Sequence, residues 1–231
     1  MRNLTKKVII NFFRDKGAYF GIVGSVSIAT SAIVSFLLHS SLDPSFNIIS
    51  YAVSDLGTGP FIPSIVFSIG LIIASFCQGP LYFSLIKYFQ KKEVSVLLIK
   101  ITALSSLISM ISHNIFSLVP FERDISILFL THGTTSVSHY ISGSFAFILY
   151  GFIERLNVKV SKILVVISFI TGALYGMLLM GYLIFFIFGL PVEYSNYTLQ
   201  WFALTGVILW SLLHGIFLNK AKKRDLNKIK I

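Results

Sequence analysis

The sequence predicts an all-α protein, a six-helix transmembrane bundle with both termini cytoplasmic. Of its 231 residues, 55% are hydrophobic and only 12% are charged, and the mean hydropathy is +0.83. Soluble domains carry about 25% charged residues, so this composition excludes a soluble globular enzyme, a disordered chain and a coiled coil. Two further observations support the fold class: several apolar runs could cross a bilayer, which takes roughly 20 residues each, and Lys and Arg cluster in alternate connections.

The apolar runs give the elements in order, and each is expected to be a helix because a lone span must satisfy its own backbone hydrogen bonds. The predicted spans are Tyr19–Leu38, Phe61–Leu85, Val94–Val119, Val137–Ile153, Ile163–Leu190 and Trp201–Leu218. The connections are short, which predicts a single polytopic domain over 1–231 with a basic N-terminal segment 1–18 and a basic tail 219–231. Within the second span, Gln78-Gly79-Pro80 predicts an interruption of the helix.

The positions of the basic residues predict the orientation. Of the 19 Lys and Arg residues, only Arg123 falls in a connection on the side opposite the termini. Because cytoplasmic loops carry the excess of Lys and Arg, both termini are expected in the cytoplasm. The net charge of +10 then reflects topology and not nucleic-acid binding. The expected partners are membrane lipids, and the sequence leaves the oligomeric state open.

Four of the five histidines are predicted to lie near the extracytoplasmic face. His39 ends the first helix, His113 lies near the outer end of the third, His132 falls in an outer loop and His139 lies one turn into the fourth helix. The fifth, His214, is expected toward the inner side. This clustering, with hydroxyl residues on the same helix faces, favours either close helix packing or a polar cavity between helices.

Acidic residues are expected at the same level. Asp55 lies in the first outer loop, within Ser54-Asp55-Leu56-Gly57, and Glu122 and Asp124 flank Arg123 in the second. Ser and Asp beside glycines build tight turns by bonding to nearby backbone amides. The candidate ligand-binding residues are therefore His39, Ser54, Asp55, Gly57, His113 and His139.

Three kinds of chemistry fit these residues. His39, His113, His139 and Asp55 are the ligand types of a catalytic zinc site, which makes Zn the one cofactor to consider. Alternatively, Asp55, His113 and His139 work without a metal as acid–base catalysts or a proton relay. The third reading is a structural hydrogen-bond network, because ionisable groups at membrane depth usually face the bundle and are paired.

Short motifs resemble a known family. Ser54-Asp55-Leu56-Gly57 before the second span resembles the signature of a prokaryotic integral membrane family, number nine-nine-eight among the domain-of-unknown-function families. Pro120-Phe121-Glu122-Arg123-Asp124, His139 with Phe145-Ala146-Phe147, and Gln200-Trp201 fit that family's pattern more loosely. The plan is also similar to the Frag/DRAM/Sfk group, whose members are linked to autophagy and to remodelling of lipid anchors. The resemblance implies roles for Asp55, Gly57 and His139, without a catalytic mechanism.

The functional prediction is an integral membrane protein whose extracytoplasmic His/Asp cavity binds or modifies a lipid or another amphipathic ligand. An enzymatic version would be hydrolysis or acyl transfer on a lipid. The alternatives are a small transporter or channel, which would favour an ionisable group near the midplane or an internal repeat, and a non-catalytic structural membrane protein.

Overall fold

The computed structural model describes residues 2–90, 94–119, 126–188 and 193–229. Within these ranges the chain is almost wholly helical and has no β-strand. The helices are α1 (Arg2–Leu42), α2 (Phe61–Phe89), α3 (Val96–Leu118), α4 (Ser126–Arg155), α5 (Lys162–Phe188) and α6 (Glu193–Ile229), with a short 3-10 helix at Val53–Gly57 between α1 and α2. The predicted all-α fold is confirmed.

All six long helices contain a segment long and apolar enough to cross a membrane. The segments are Lys16–Leu42, Phe61–Phe89, Val96–Leu118, Ser126–Arg155, Lys162–Ile184 and Tyr197–Lys222. At 1.5 Å per residue, even a 23-residue span reaches about 34 Å, enough for a hydrocarbon core of about 30 Å. The chain is therefore an integral, multi-pass membrane protein.

The helices are arranged as a ring. Each long helix contacts the next along the chain, α6 contacts α1, and α2 also touches α6. We call the end of the ring near Lys16, Arg155 and Lys162 the basic end, and the end near the 3-10 helix the loop end. That the basic end faces the cytoplasm remains a prediction from the charge pattern.

Small residues allow α1 and α2 to pack closely. A Cβ atom added at Gly70 would lie 1.8 Å from Ser31 Oγ, and one added at Gly17 would lie 1.8 Å from Ser84 Oγ. Backbones of membrane helices approach this closely where one partner lacks a side chain. At this interface Ser31, one of the hydroxyl residues of the first helix, contributes to helix packing.

The interior toward the basic end is filled with large apolar and aromatic side chains. The members of this plug are fully buried: Leu85, Phe89, Phe147, Tyr150, Ile153 and Trp210. Their rings pack edge to face or tilted; the centroids of Phe147 and Trp210, for example, are 4.9 Å apart. Such packing closes the ring at this end.

Two local predictions were wrong. The fourth helix begins at Ser126, well before Val137, so His132 lies in a helix and His139 lies near its middle. Polar residues in this first part do not end the helix, because Thr134 and Thr135 donate to the carbonyls of Leu130 and Thr131, at 2.7 and 2.6 Å.

The second helix also differs from its prediction, because α2 runs without interruption through Pro80. Proline is tolerated inside membrane helices where neighbouring groups satisfy the freed carbonyl.

Candidate functional site

A cavity of about 1070 Å³ lies inside the helix ring. All six long helices and the 3-10 helix contribute to its wall. Ligand sites in proteins usually measure 300–1,000 Å³, so this cavity is large enough for more than a small metabolite. It is the candidate site.

The wall is polar toward the loop end. Asp55 comes from the 3-10 helix, and His113 lies five residues, about 7.5 Å, before α3 ends at Leu118. His132 and Gln200 also lie on this part of the wall, close to the loop-end limits of the α4 and α6 spans. Within the described residues no Lys or Arg lines the cavity, and Asp55 is its one carboxylate.

Small and apolar side chains make up much of the rest of the wall. They include Gly24, Ala74, Cys77 and Leu81, and Gln78 lies between the last two in α2. Ser25 also lies on the wall, but its hydroxyl donates to the carbonyl of Gly21 at 2.6 Å. The cavity wall therefore combines polar side chains with a larger number of apolar ones.

His113 is a cavity-lining histidine with a hydrogen-bond partner at only one of its ring nitrogens among the described residues. Its Nδ1 lies 2.8 Å from Oε1 of Gln78, so the histidine of α3 is bonded to the amide of α2. Phe116 stacks on the ring at a centroid distance of 4.9 Å. Both His113 and Gln78 are 6% exposed and line the cavity. No described residue hydrogen-bonds to Nε2 of His113 or to the second amide atom of Gln78.

His139 lies beside His113 but has both ring nitrogens engaged. The two imidazole centroids are 4.7 Å apart. Nδ1 of His139 lies 2.9 Å from the hydroxyl and 3.0 Å from the carbonyl of Ser109, and Nε2 lies 3.1 Å from the hydroxyl of Tyr175. His139 thus ties α3, α4 and α5 together at the cavity wall.

Asp55 has a structural bond in addition to its place on the cavity wall. Its Oδ2 accepts from the backbone N–H of Ala52 at 2.7 Å, which closes the 3-10 helix. Ser54 and Gly57, in the same short helix, also line the cavity. The turn-forming role expected for the Ser-Asp-Leu-Gly segment is therefore present.

His39 is not part of the cavity wall. Its Nε2 lies 3.4 Å from the carbonyl of Leu56, and its ring stacks on Phe46 with centroids 4.6 Å apart. Gly59, with φ of +83°, lies against this ring, since an added Cβ would be 3.6 Å from Cε1 of His39. His39 thus holds the first loop onto the end of α1.

The described residues do not form the predicted zinc site. No three His, Cys, Asp or Glu side chains among them come together as a metal-binding group. His113 and His139 are neighbours, but His39 is bonded to the first loop and Asp55 to the backbone of the 3-10 helix. Glu122 and Asp124 lie outside the described residues. We therefore derive no step through a metal ion.

A second buried polar cluster lies toward the basic end. Oε1 of Glu154 in α4 is 2.6 Å from Nε2 of His214 in α6, and both side chains are fully buried. Oε2 of Glu154 accepts from Ser168 at 2.8 Å, and Ser168 accepts from Nε1 of Trp210 at 2.8 Å. Nδ1 of His214 donates to the carbonyl of Trp210 at 2.7 Å. We call these four residues the Glu154 network; it is closed on itself.

Several of these residues were not predicted as functional or paired. Gln78 was noted only as part of a helix break, although an amide inside an apolar run is a signal for a polar partner. Glu154 lies just beyond the predicted fourth span, beside Arg155, and nothing in the sequence indicated that it is buried. Tyr175 gave no signal, because a tyrosine in an apolar run is usually core.

Comparisons of the chain with protein-family models, curated proteins and solved structures found no significant match. The resemblance to the prokaryotic membrane family and to the Frag/DRAM/Sfk group thus stays a prediction from short motifs.

Proposed function

We propose that this membrane protein binds a single amphipathic ligand, such as a lipid, in the cavity at the centre of its helix ring. The observation that carries the proposal is the mixed lining of the cavity wall. Polar side chains such as Asp55, Gln78 and His113 lie on it together with a larger number of apolar side chains. A ligand with a polar head and an apolar tail matches this lining, because it offers a partner to both kinds of surface.

Closure of the ring favours binding over transport. A transporter or channel needs access to the site from both sides of the membrane, whereas the fully buried plug around Phe89, Phe147 and Trp210 fills the ring at the basic end. A lipid enters such a cavity from the loop end or between helices and leaves by the same route.

The position of the serine next to His139 favours binding over hydrolysis or acyl transfer. A nucleophilic mechanism needs a Ser, Thr or Cys that is hydrogen-bonded to a histidine and is reached by the ligand. The hydroxyl of Ser109 lies 2.9 Å from Nδ1 of His139, but Ser109 is fully buried and is not part of the cavity wall. These contacts suit a site that recognises a ligand and leaves it intact.

Native mass spectrometry of the protein purified in mild detergent tests the proposal. Wild type is expected to retain a bound lipid that Ala203→Trp loses, because Ala203 is 3% exposed and lines the cavity. Phe202→Trp is the matched control. Phe202 is the neighbour of Ala203 on α6, but it is 59% exposed and faces away from the cavity.

Ala74→Phe, at another point of the cavity wall in α2, provides a second filled cavity should the first variant misfold, and circular dichroism checks the helix content of each. Equal lipid retention in wild type and in folded cavity-filling variants would refute the proposal. So would the absence of any bound lipid from wild type both as purified and after incubation with membrane lipid extract.

A further inference from the structure

A group of tyrosines on the cavity wall indicates the charge of the head group that the cavity accepts. This inference rests on the proposed binding function and adds the chemical class of the ligand. We propose that the ligand is a cationic amphiphile, whose positively charged nitrogen binds among the tyrosine side chains beside Asp55 and whose chain packs against the apolar side chains of the wall.

Four tyrosines line the cavity, and they come from three helices. They are Tyr140 in α4, Tyr175 and Tyr182 in α5, and Tyr197 in α6. The ring centroid of Tyr140 lies 5.4 Å from that of Tyr175, at an interplanar angle of 81°, and 6.0 Å from that of Tyr182, at 16°. The rings of α4 and α5 are therefore neighbours on the wall. We call the four residues the tyrosine cluster.

A carboxylate lies beside the tyrosine cluster. Asp55 lines the cavity from the 3-10 helix, and both Asp55 and Tyr197 are close enough to Tyr182 to interact with it electrostatically. Oδ2 of Asp55 accepts from the backbone N–H of Ala52, but an N–H group carries no net charge and so does not neutralise the carboxylate. The described wall has no Lys or Arg, so its one formal charge at neutral pH from acidic and strongly basic side chains is negative.

A positively charged nitrogen is the head group that these side chains attract most strongly. Aromatic rings carry a negative π face that attracts cations, and the attraction is stronger where water is excluded. The tyrosine hydroxyls add acceptors, because a hydroxyl oxygen that makes one hydrogen bond keeps a lone pair. Several aromatic rings around one site are how proteins recognise quaternary ammonium groups.

Other head groups match this part of the wall less well. A phosphate or carboxylate would lie near Asp55 with no Lys or Arg of the described wall to balance the two negative charges. An alcohol can hydrogen-bond to the tyrosine hydroxyls, but it gains no charge attraction from the carboxylate or the ring faces. The expected order of affinity is therefore cation, then neutral head group, then anion.

The test is a binding titration with three probes that share one chain: oleyltrimethylammonium, oleyl alcohol and oleyl phosphate. Native mass spectrometry of delipidated protein gives an apparent Kd for each. We expect the ammonium to bind about tenfold or more tightly than the alcohol, and the phosphate to bind most weakly. Adsorption to the surface of the protein would favour the phosphate over the ammonium, because the net charge of the chain is +10.

The variant Asp55→Asn tests the contribution of the carboxylate, since it removes the charge and keeps an oxygen that can accept from Ala52. It should lower the affinity for the ammonium about tenfold and leave the affinity for the alcohol unchanged. Asp43→Asn is the matched control, because Asp43 belongs to the same connection between α1 and α2 but is not part of the cavity wall. It should change neither affinity.

Two variants of Tyr182 test the aromatic contribution and keep the proposal testable should Asp55→Asn misfold. Tyr182→Leu removes the ring and should weaken ammonium binding about three- to tenfold, whereas Tyr182→Phe keeps the ring face and should weaken it less.

Equal affinities of ammonium and alcohol for wild type, or tighter binding of the phosphate, would overturn the cation inference and leave the binding function standing. So would an ammonium preference that both Asp55→Asn and Tyr182→Leu retain in full. Binding of none of the three probes would overturn both.

Discussion

The two buried polar clusters of this protein differ in how they satisfy their hydrogen bonds. In the Glu154 network the donors and acceptors of four residues bond to one another, from Nε1 of Trp210 through Ser168, Glu154 and His214 back to the backbone carbonyl of Trp210. In the His113–Gln78 pair the two side chains bond to each other on the cavity wall, and the second polar atom of each has no hydrogen-bond partner among the described residues. A cluster of polar side chains buried within the membrane-spanning helices is therefore not by itself evidence of a binding site.

The difference follows from what surrounds each cluster. The Glu154 network lies against the plug, where Trp210 stacks on His214 at 4.2 Å and no space remains for a ligand. Buried polar groups in such surroundings stabilise a fold only when all are paired. We infer that the Glu154 network fixes the packing of α4, α5 and α6, whereas the His113–Gln78 pair keeps its bonding capacity for a ligand.

The largest effect is expected from breaking the Glu154 network. Glu154→Ala leaves His214 and Ser168 without their buried partner, so the free energy of unfolding should fall by about 3–5 kcal/mol. Denaturant unfolding in detergent, followed by circular dichroism, measures the loss.

Glu154→Gln is the control, because its amide can accept from Ser168 and donate to His214, and it should lose clearly less. A Glu154→Ala protein as stable as wild type would show that the network does not hold the helices together.

A smaller effect is expected one bond along the same network. Ser168→Ala removes the hydroxyl that joins Nε1 of Trp210 to Oε2 of Glu154, and should cost about 1–3 kcal/mol.

Thr171→Val is the matched control on the same helix. Thr171 is equally buried, but its hydroxyl has no hydrogen-bond partner within the described chain, so its loss should leave stability unchanged or slightly higher. Equal losses in the two variants, measured by the same unfolding curves, would mean that the network bonds add nothing beyond the packing of a side chain.

Some features of the fold and of the site could be predicted from the sequence, and others could not. Hydropathy was sufficient for the six helices, because a membrane span needs a long apolar run and little else. The site was only partly predictable. His113, His139 and Asp55 do lie on one cavity wall, whereas His39 lies off that wall and is bonded to the first loop.

The other features of the site depend on hydrogen bonds between residues on different helices that are far apart in the sequence. Gln78 and His113 are 35 residues apart, and Glu154 and His214 are 60 apart. A single sequence records the types of these residues but not the order of helices around the ring. The start of α4 was missed for a local reason, because threonines that bond back to their own helix look like a loop when only composition is considered.

The smallest effect is expected at the surface, where polar groups have water as an alternative partner. The N–H and the hydroxyl of Ser45 donate to Oδ1 of Asp43, at 2.9 and 2.7 Å, in the exposed first loop. Hydrogen bonding from the Ser45 hydroxyl, and then from its N–H, lowers the pKa of Asp43.

Because the pKa is lower in the folded state, the contribution of Asp43 to stability is present above the unfolded pKa, which is about 3.9. It is lost as the pH falls through the folded value. The difference in thermal stability between wild type and Asp43→Asn should therefore be small at neutral pH and shrink further under acid. A difference that grew on acidification would contradict the assignment.

The most direct test of the account uses Cys77, the only cysteine of the chain, which lies on the apolar wall of the cavity in α2. In delipidated, folded wild type we would measure its rate of alkylation by N-ethylmaleimide with and without oleyl alcohol, taking protein unfolded in SDS as the fully reactive reference. We expect Cys77 to react in the folded protein and the alcohol to slow the reaction at concentrations that saturate binding. Reaction at the same rate with and without the alcohol would contradict a ligand-binding cavity at the centre of the ring.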